Sequence, residues 1–172
     1  MSFQAPPAQF IAALESIRRI EIPHNVTLKE ISAPRSLAPY SAGIAIDSSE
    51  TNCTLIILYD PAEPAAWQSR FRLILALNAD IENSLATEQM LAQVAWSWLR
   101  ETLDNAGAGY HSVSGTVTRV ISESFGMKGM TPERGGLEIR ASWSPYSEEL
   151  TPHVEAICRL VDFISEQTGE TG

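Results

Sequence analysis

Apolar and polar residues alternate strictly along the middle of the chain. Every odd position from 71 to 81 holds an apolar residue, whereas Arg72, Asn78 and Asp80 occupy even positions. A period of two places one face of a β-strand against a core. The pattern predicts a strand over residues 71–81 with one buried face and one mixed face.

Shorter alternating, weakly alternating or apolar segments predict further strands. They lie at residues 26–31, 42–46, 54–59, 113–121 and 137–143. The second and third of these flank a run of turn-forming residues, Asp47 to Asn52, and together predict a hairpin.

Helical spacing predicts three helices, over residues 7–20, 84–106 and 151–167. The middle one has two apolar stripes. The first contains Leu91, Val94, Ala95, Trp98 and Thr102, and the second contains Ala92, Trp96, Leu99 and Leu103. Because the stripes together cover roughly 200° of the helix surface, we expect this central helix to be buried on two sides.

The order α-β-β-β-β-α-β-β-α predicts an α+β fold, with an antiparallel sheet of five or six strands and three helices. We find no repeat or change of composition, so residues 1–172 form one predicted domain. Its core runs from about 7 to 167, and residues 1–5 and 168–172 are expected to fray. The architecture is loosely similar to the small acidic secretion-chaperone fold, whose members are dimers that hold a partner chain.

Charge and composition disfavour several classes of protein function. With 12 basic and 21 acidic residues the net charge is −9, which disfavours binding to nucleic acid or anionic membranes. No apolar run approaches the ~20 residues that a membrane span needs. We find no secretory signal and expect a cytoplasmic protein. The two cysteines, Cys53 and Cys158, offer neither a disulfide framework nor a CxxC zinc site.

Catalytic patterns are missing from the sequence. His24, His111 and His153 lie on separate segments without a ligand at helical spacing. The glycine-containing run from Gly107 to Gly115 leads from a helix into a strand, the reverse of a phosphate-binding loop, and predicts a helix stop and turn. We therefore expect no catalytic residues, no metal and no cofactor.

A series of short motifs does resemble a known family. They are Leu37-Ala38-Pro39-Tyr40-Ser41, Leu58-Tyr59-Asp60-Pro61, Val94-Ala95-Trp96-Ser97-Trp98-Leu99, Gly115-Thr116-Val117-Thr118-Arg119 and Leu137-Glu138-Ile139-Arg140-Ala141-Ser142-Trp143. From about Phe10 to about Val161 the chain is similar to the actinobacterial domain-of-unknown-function 3000 family. The resemblance implies an actinobacterial cytoplasmic protein, and implies no particular reaction or ligand.

Two tryptophans on the central helix raise the question of self-association. Trp96 and Trp98 are two residues apart and point ~200° from each other, so they cannot share one packing surface. Either one meets the sheet and the other meets a terminal helix of the same chain, or Trp96 meets a second molecule. In the second case Ala92, Trp96, Leu99 and Leu103 form a partner interface, and a homodimer follows.

Arginines on the predicted strands are the other candidates for function. Arg72 and Arg140 lie on the mixed faces of their strands, while Arg119 interrupts an apolar row and requires either a carboxylate, such as Glu123, or a bound anion. These faces are either simply solvated or salt-bridged, or they bind an anionic metabolite or acidic peptide.

The sequence favours a non-enzymatic, cytoplasmic protein-binding or chaperone-like adaptor that self-associates, with a protein partner that remains to be identified. The alternative is an enzyme or sensor that binds a small anionic metabolite through Arg72, Arg119 and Arg140.

Overall fold

A computed structural model describes residues 5–126 and 134–168, which form one open antiparallel sheet and the helices packed on it. The strands are β1 (Thr27–Ile31), β2 (Tyr40–Asp47), β3 (Thr51–Tyr59), β4 (Phe71–Glu82), β5 (Tyr110–Val120) and β6 (Arg134–Pro145). The helices are α1 (Ala8–Ser16), α2 (Asn83–Ala86), α3 (Leu91–Asn105) and α4 (Thr151–Thr168), with a 3₁₀ turn at Ile17–Arg19.

The six strands lie in the order β1-β2-β3-β4-β6-β5, and every neighbouring pair is antiparallel. The α+β fold predicted from the sequence is therefore confirmed, with six strands. The last two strands do not follow chain order in the sheet, because β6 pairs with β4 and β5 lies at the edge.

The period of two divides the sheet into two faces. Leu75 of β4 lies between Leu55 of β3 and Ala141 of β6, all of them buried. Side chains of all four described helices contact this face, which we call the helix face. No described helix covers the opposite face, which carries Arg72, the other even positions of β4, and their partners in register. We call it the open face.

Helix α4 is buried between the sheet and the neighbouring helices. It lies across β2, β3 and β4 and also contacts α3 and the 3₁₀ turn. Seven of its side chains have no exposed surface: Val154, Ala156, Ile157, Cys158, Leu160, Val161 and Ile164. Both ends are fixed, because Thr151 donates a hydrogen bond to the Ser16 carbonyl and Ser165 bonds the Ser48 and Thr51 hydroxyls.

The expectation of one continuous central helix over residues 84–106 was wrong. The helix is interrupted between α2 and α3, and α3 buries a single stripe with a spacing of four, Leu91, Ala95, Leu99 and Leu103. Helix α3 contacts β5, an edge strand, and α4. No further layer formed by the described residues covers its outer side, and Val94 of the first expected stripe is exposed.

Arg119 stabilises the interruption between the two helices. Its guanidinium donates to the carbonyl oxygens of Ala86 at 3.1 Å and Glu88 at 3.0 Å. Carbonyl groups at a helix end lack intrahelical donors and need such partners. The expected carboxylate partner, Glu123, lies beyond the end of β5, and the guanidinium bonds backbone oxygens instead.

Both tryptophans of α3 have neighbours within the chain. Trp98 packs edge-on against Phe163 of α4, with 5.2 Å between ring centroids. Trp96 lies over Gly115 of β5, where a Cβ atom would come within 2.8 Å of the indole Cζ3 and still closer to the Arg140 carbonyl oxygen. The indole of Trp96 therefore requires a glycine beneath it.

Replacing Gly115 by alanine should destabilise the protein by about 1–3 kcal/mol, because the new methyl group meets backbone as well as the indole. Urea unfolding measures the change. The matched control is Gly109→Ala, where the Cβ would make an ordinary 3.5 Å contact with Tyr146 and the effect should stay within about 0.5 kcal/mol. Equal effects of the two substitutions would contradict the close Trp96 contact.

A buried polar pair joins β6 to α4. Trp143 donates its indole N–H to Nδ1 of His153 at 3.1 Å, and the exposed fractions are 0% and 1%. Nδ1 can accept this bond only when it carries no proton. Burial accordingly lowers the pKa of His153 to about 4.

This pair predicts loss of stability in mild acid. Above pH 6.5 the imidazole is neutral in both the folded and the unfolded chain, so it adds no pH dependence. Below pH 6.5 the unfolded chain takes up the proton first, so the free energy of unfolding falls until the pH reaches the folded pKa of about 4. The loss amounts to roughly 3 kcal/mol at 1.36 kcal/mol per pKa unit.

Urea unfolding between pH 7 and pH 4 tests this expectation. His153→Gln keeps an acceptor for Trp143 but does not titrate, so its stability should fall less steeply with acid than that of the wild type. His111→Gln, at the half-buried start of β5, is the matched control for replacing a histidine outside the buried core. If His153→Gln shows the wild-type slope, the buried imidazole is not the cause.

Candidate functional site

Strand β5 forms a long edge of the sheet. It spans 11 residues and pairs only with β6 within the part of the chain that the structure describes. Sheet edges are usually protected by proline, charged side chains or bulges. A bulge between His111 and Ser114 protects the beginning of β5. The remainder contains no proline or lysine, and its one arginine, Arg119, points to the helix face.

Two hydroxyl residues flank Gly115 in the regular part of β5. Ser114 and Thr116 lie on the open face, one on either side of Gly115. In an antiparallel pair of two such strands centred on Gly115, a hydroxyl would face a hydroxyl. Such cross-strand pairs stabilise a sheet, and this arrangement places no like charges opposite each other.

The four residues expected at a partner interface have two different environments. Leu99 and Leu103 are fully buried inside the chain, so they have no surface to offer to another molecule. Ala92 and Trp96 are half-buried. Since Trp96 lies over Gly115, the part of the expected interface that stays accessible is close to the centre of the β5 edge.

The three arginines expected to bind an anion do not share a site. Arg119 is paired with Leu137 and lies on the helix face. Arg72 and Arg140 lie on the open face, on the adjacent strands β4 and β6. The open face therefore brings together two of the three.

Arg72 is the buried member of this pair. Its exposed fraction is 8%, and its guanidinium donates to Oγ of Ser144 at 2.9 Å and to Oγ of Ser142 at 2.8 Å. Loss of solvent around the charged group lowers the pKa of Arg72. The ion pair found among the described residues is Arg134 with Glu50, elsewhere on the sheet. Arg72 is thus a buried cation held by hydroxyl groups.

The sequence did not point to Ser142 and Ser144 as partners of Arg72. They occupy alternate positions of β6, and this alternation places them on one face. Their proximity to Arg72 depends on β6 lying beside β4, and a single sequence does not reveal that strand order. We use the name arginine–serine cluster for Arg72, Arg140, Ser142 and Ser144.

Two cavities were also not anticipated. A polar cleft of about 520 Å³ lies at the beginning of β5 and includes Arg70, His111 and Glu148. Three residues with positive φ that are not glycine, Glu63, Gln68 and Ser112, line it. The sequence predicted a helix stop and turn here. The stop is present at Gly107, with φ of 72°, but the strand already begins at Tyr110.

The second cavity is a groove of about 940 Å³ between α1 and the β1–β2 edge of the sheet. Its walls are largely apolar, with Phe10, Leu14 and Leu28 among them, and Arg18 and Arg35 also contribute. The helical pattern of the first segment indicated which residues of α1 face inward. It could not indicate that space remains between them and the sheet.

No helix within residues 5–126 and 134–168 combines the length and hydropathy needed to span a bilayer.

Comparison with known proteins places the chain in a family. No curated protein and no solved structure matches the chain significantly. The family model described as "Protein of unknown function (DUF3000)" matches residues 6–168. The chain therefore belongs to the DUF3000 family.

Proposed function

We propose that the protein is a self-associating protein-binding module and not an enzyme, and that its first partner is a second copy of itself. The two copies pair their β5 strands antiparallel, with a twofold axis at Gly115. The observation that supports this most strongly is the long β5 edge, which lacks the usual protection over residues 114–120.

The symmetry of β5 favours a second copy over an unrelated strand. With the axis at Gly115, Ser114 of one copy faces Thr116 of the other. This hydroxyl pair contributes roughly 0.2–1 kcal/mol relative to alanine. It occurs twice because of the symmetry.

Trp96 adds apolar contact at the same axis. Paired strands lie about 4.8 Å apart, so the two indoles above the two Gly115 residues come close to each other. Trp96 is half-buried in the single chain and loses its remaining exposure in the pair. Tryptophans that become buried in this way often dominate the energy of an interface.

Pairing of β5 joins the two six-stranded sheets into one, with all helices on one side. The two open faces then form one continuous surface. On β3 and β4 this surface includes Ile56, Ile74 and Ala76, which are half-buried. An adaptor role follows, in which this enlarged face binds another protein and holds it as a chaperone-like platform.

Mass measurement by sedimentation equilibrium tests the pairing and its register. The wild type should be a dimer, and Ser114→Glu/Thr116→Glu should be a monomer, because glutamates then face each other twice across the axis. Both positions are exposed in the single chain and Thr116 lies beside Arg140, so the variant should remain folded.

The matched control is Ser114→Lys/Thr116→Glu, which shares one substitution and places lysine opposite glutamate. It should remain dimeric, including in salt high enough to screen long-range charge. A monomeric wild type would refute the proposed pairing. If the Ser114→Glu/Thr116→Glu variant is still a dimer, the copies associate through another surface.

A further inference from the structure

The guanidinium of Arg72 has no compensating negative charge in the described structure. It is 8% exposed, and the ion pair formed by described residues involves Arg134 and Glu50, not Arg72. Removing an ionic group from water is costly unless an opposite charge or a full set of hydrogen bonds replaces the solvent. The cluster around Arg72 provides only two hydroxyl oxygens.

The hydrogen bonds in the cluster fix which groups donate. Ser144 donates its own proton to the Trp67 carbonyl at 2.6 Å, so its oxygen accepts from Arg72. A guanidinium has five N–H groups, and the bonds to Ser142 and Ser144 use two of them. Three N–H groups of Arg72 therefore have no acceptor among the described residues.

The side chain of Arg140 can reach the Ser142 hydroxyl, to which Arg72 donates. It is exposed and stands two residues from Ser142 on β6, which corresponds to roughly 7 Å along a strand. The long side chain of Arg140 can cover that distance, so two guanidinium groups can converge beside the Ser142 hydroxyl.

We propose that Arg72, Arg140 and Ser142 bind the dianion of a phosphate monoester on the open face. Two guanidinium charges match the charge of a phosphate monoester, close to −2 at neutral pH, whereas a carboxylate would balance only one. The three phosphate oxygens can accept bonds from both arginines and the serine. This site goes beyond the proposed dimer, because its residues lie on β4 and β6 and none belongs to the β5 edge.

Thermal unfolding tests the site with two probes, inorganic phosphate and O-phosphoserine, each compared with chloride at equal ionic strength. Both probes should raise the Tm of the wild type, since a ligand that binds only the folded state stabilises it. In an NMR titration with each probe, the Nε–H resonance of Arg72 should shift. The apparent Kd from that shift should agree with the one obtained from thermal unfolding. Equal Tm values in phosphate and in chloride, without that shift, would overturn the proposal.

Arg140→Gln should weaken binding of both probes at least tenfold, the usual effect of losing a charge-assisted hydrogen bond. Lys29→Gln is the matched control. Lys29 is exposed on the open face, in the same row as Arg140 but four strands away, and its loss removes the same charge. If both variants weaken binding equally, the attraction is diffuse and the site does not exist.

Arg72→Met separates a binding role from a structural one. It removes a desolvated charge, so the variant should be at least as stable as the wild type in chloride and should lose its response to phosphate. A variant that is less stable yet still responds would assign Arg72 to structure alone. Should Arg72→Met fail to fold, the comparison of Arg140→Gln with Lys29→Gln still decides.

A phosphate monoester can come from a small metabolite or from a phosphorylated protein segment. A short peptide containing phosphoserine, tested beside O-phosphoserine itself, distinguishes the two sources. Tighter binding of the peptide indicates a protein segment, and equal binding indicates a metabolite. Either result supports the site, whereas binding of the unphosphorylated peptide with equal affinity would contradict it.

Discussion

The structure depends on the packing of α4 across the middle strands of the sheet. Seven α4 side chains without exposed surface fill the space between β2, β3 and β4 on one side and α3 and the 3₁₀ turn on the other. Burial of each larger aliphatic chain contributes roughly 1.5–3 kcal/mol. The Trp143–His153 bond and the hydroxyl contacts of Thr151 and Ser165 hold the helix in one orientation.

This one-sided arrangement determines where function can lie. With every described helix on one face, the opposite face remains open, and α3 extends only as far as the last strand. The chain therefore presents a long β5 edge, a half-buried Trp96 above it, and a buried Arg72 on the open face. The first two features support self-association, and the third supports recognition of an anion.

The alternation of apolar residues allowed β4, β5 and β6 and their faces to be predicted, including the row that holds Arg119. The partner of Arg119 could not be predicted, because it consists of backbone carbonyls at a helix interruption. The interruption itself has no sequence signal, since residues 87–90 contain neither glycine nor proline. The position of α4 over the middle of the sheet was also not predicted. Helical spacing shows how much of a helix is apolar, but which helix lies over the sheet centre depends on strand order.

Amide hydrogen exchange along β5 at several protein concentrations tests the central claim most directly. If two β5 strands pair around Gly115, amides of residues 114–118 that point away from β6 should be protected at high concentration and should lose that protection on dilution. Rapid exchange of those amides at every concentration, with β4 and β6 protected, would show that β5 remains a free edge and would contradict the proposed self-association.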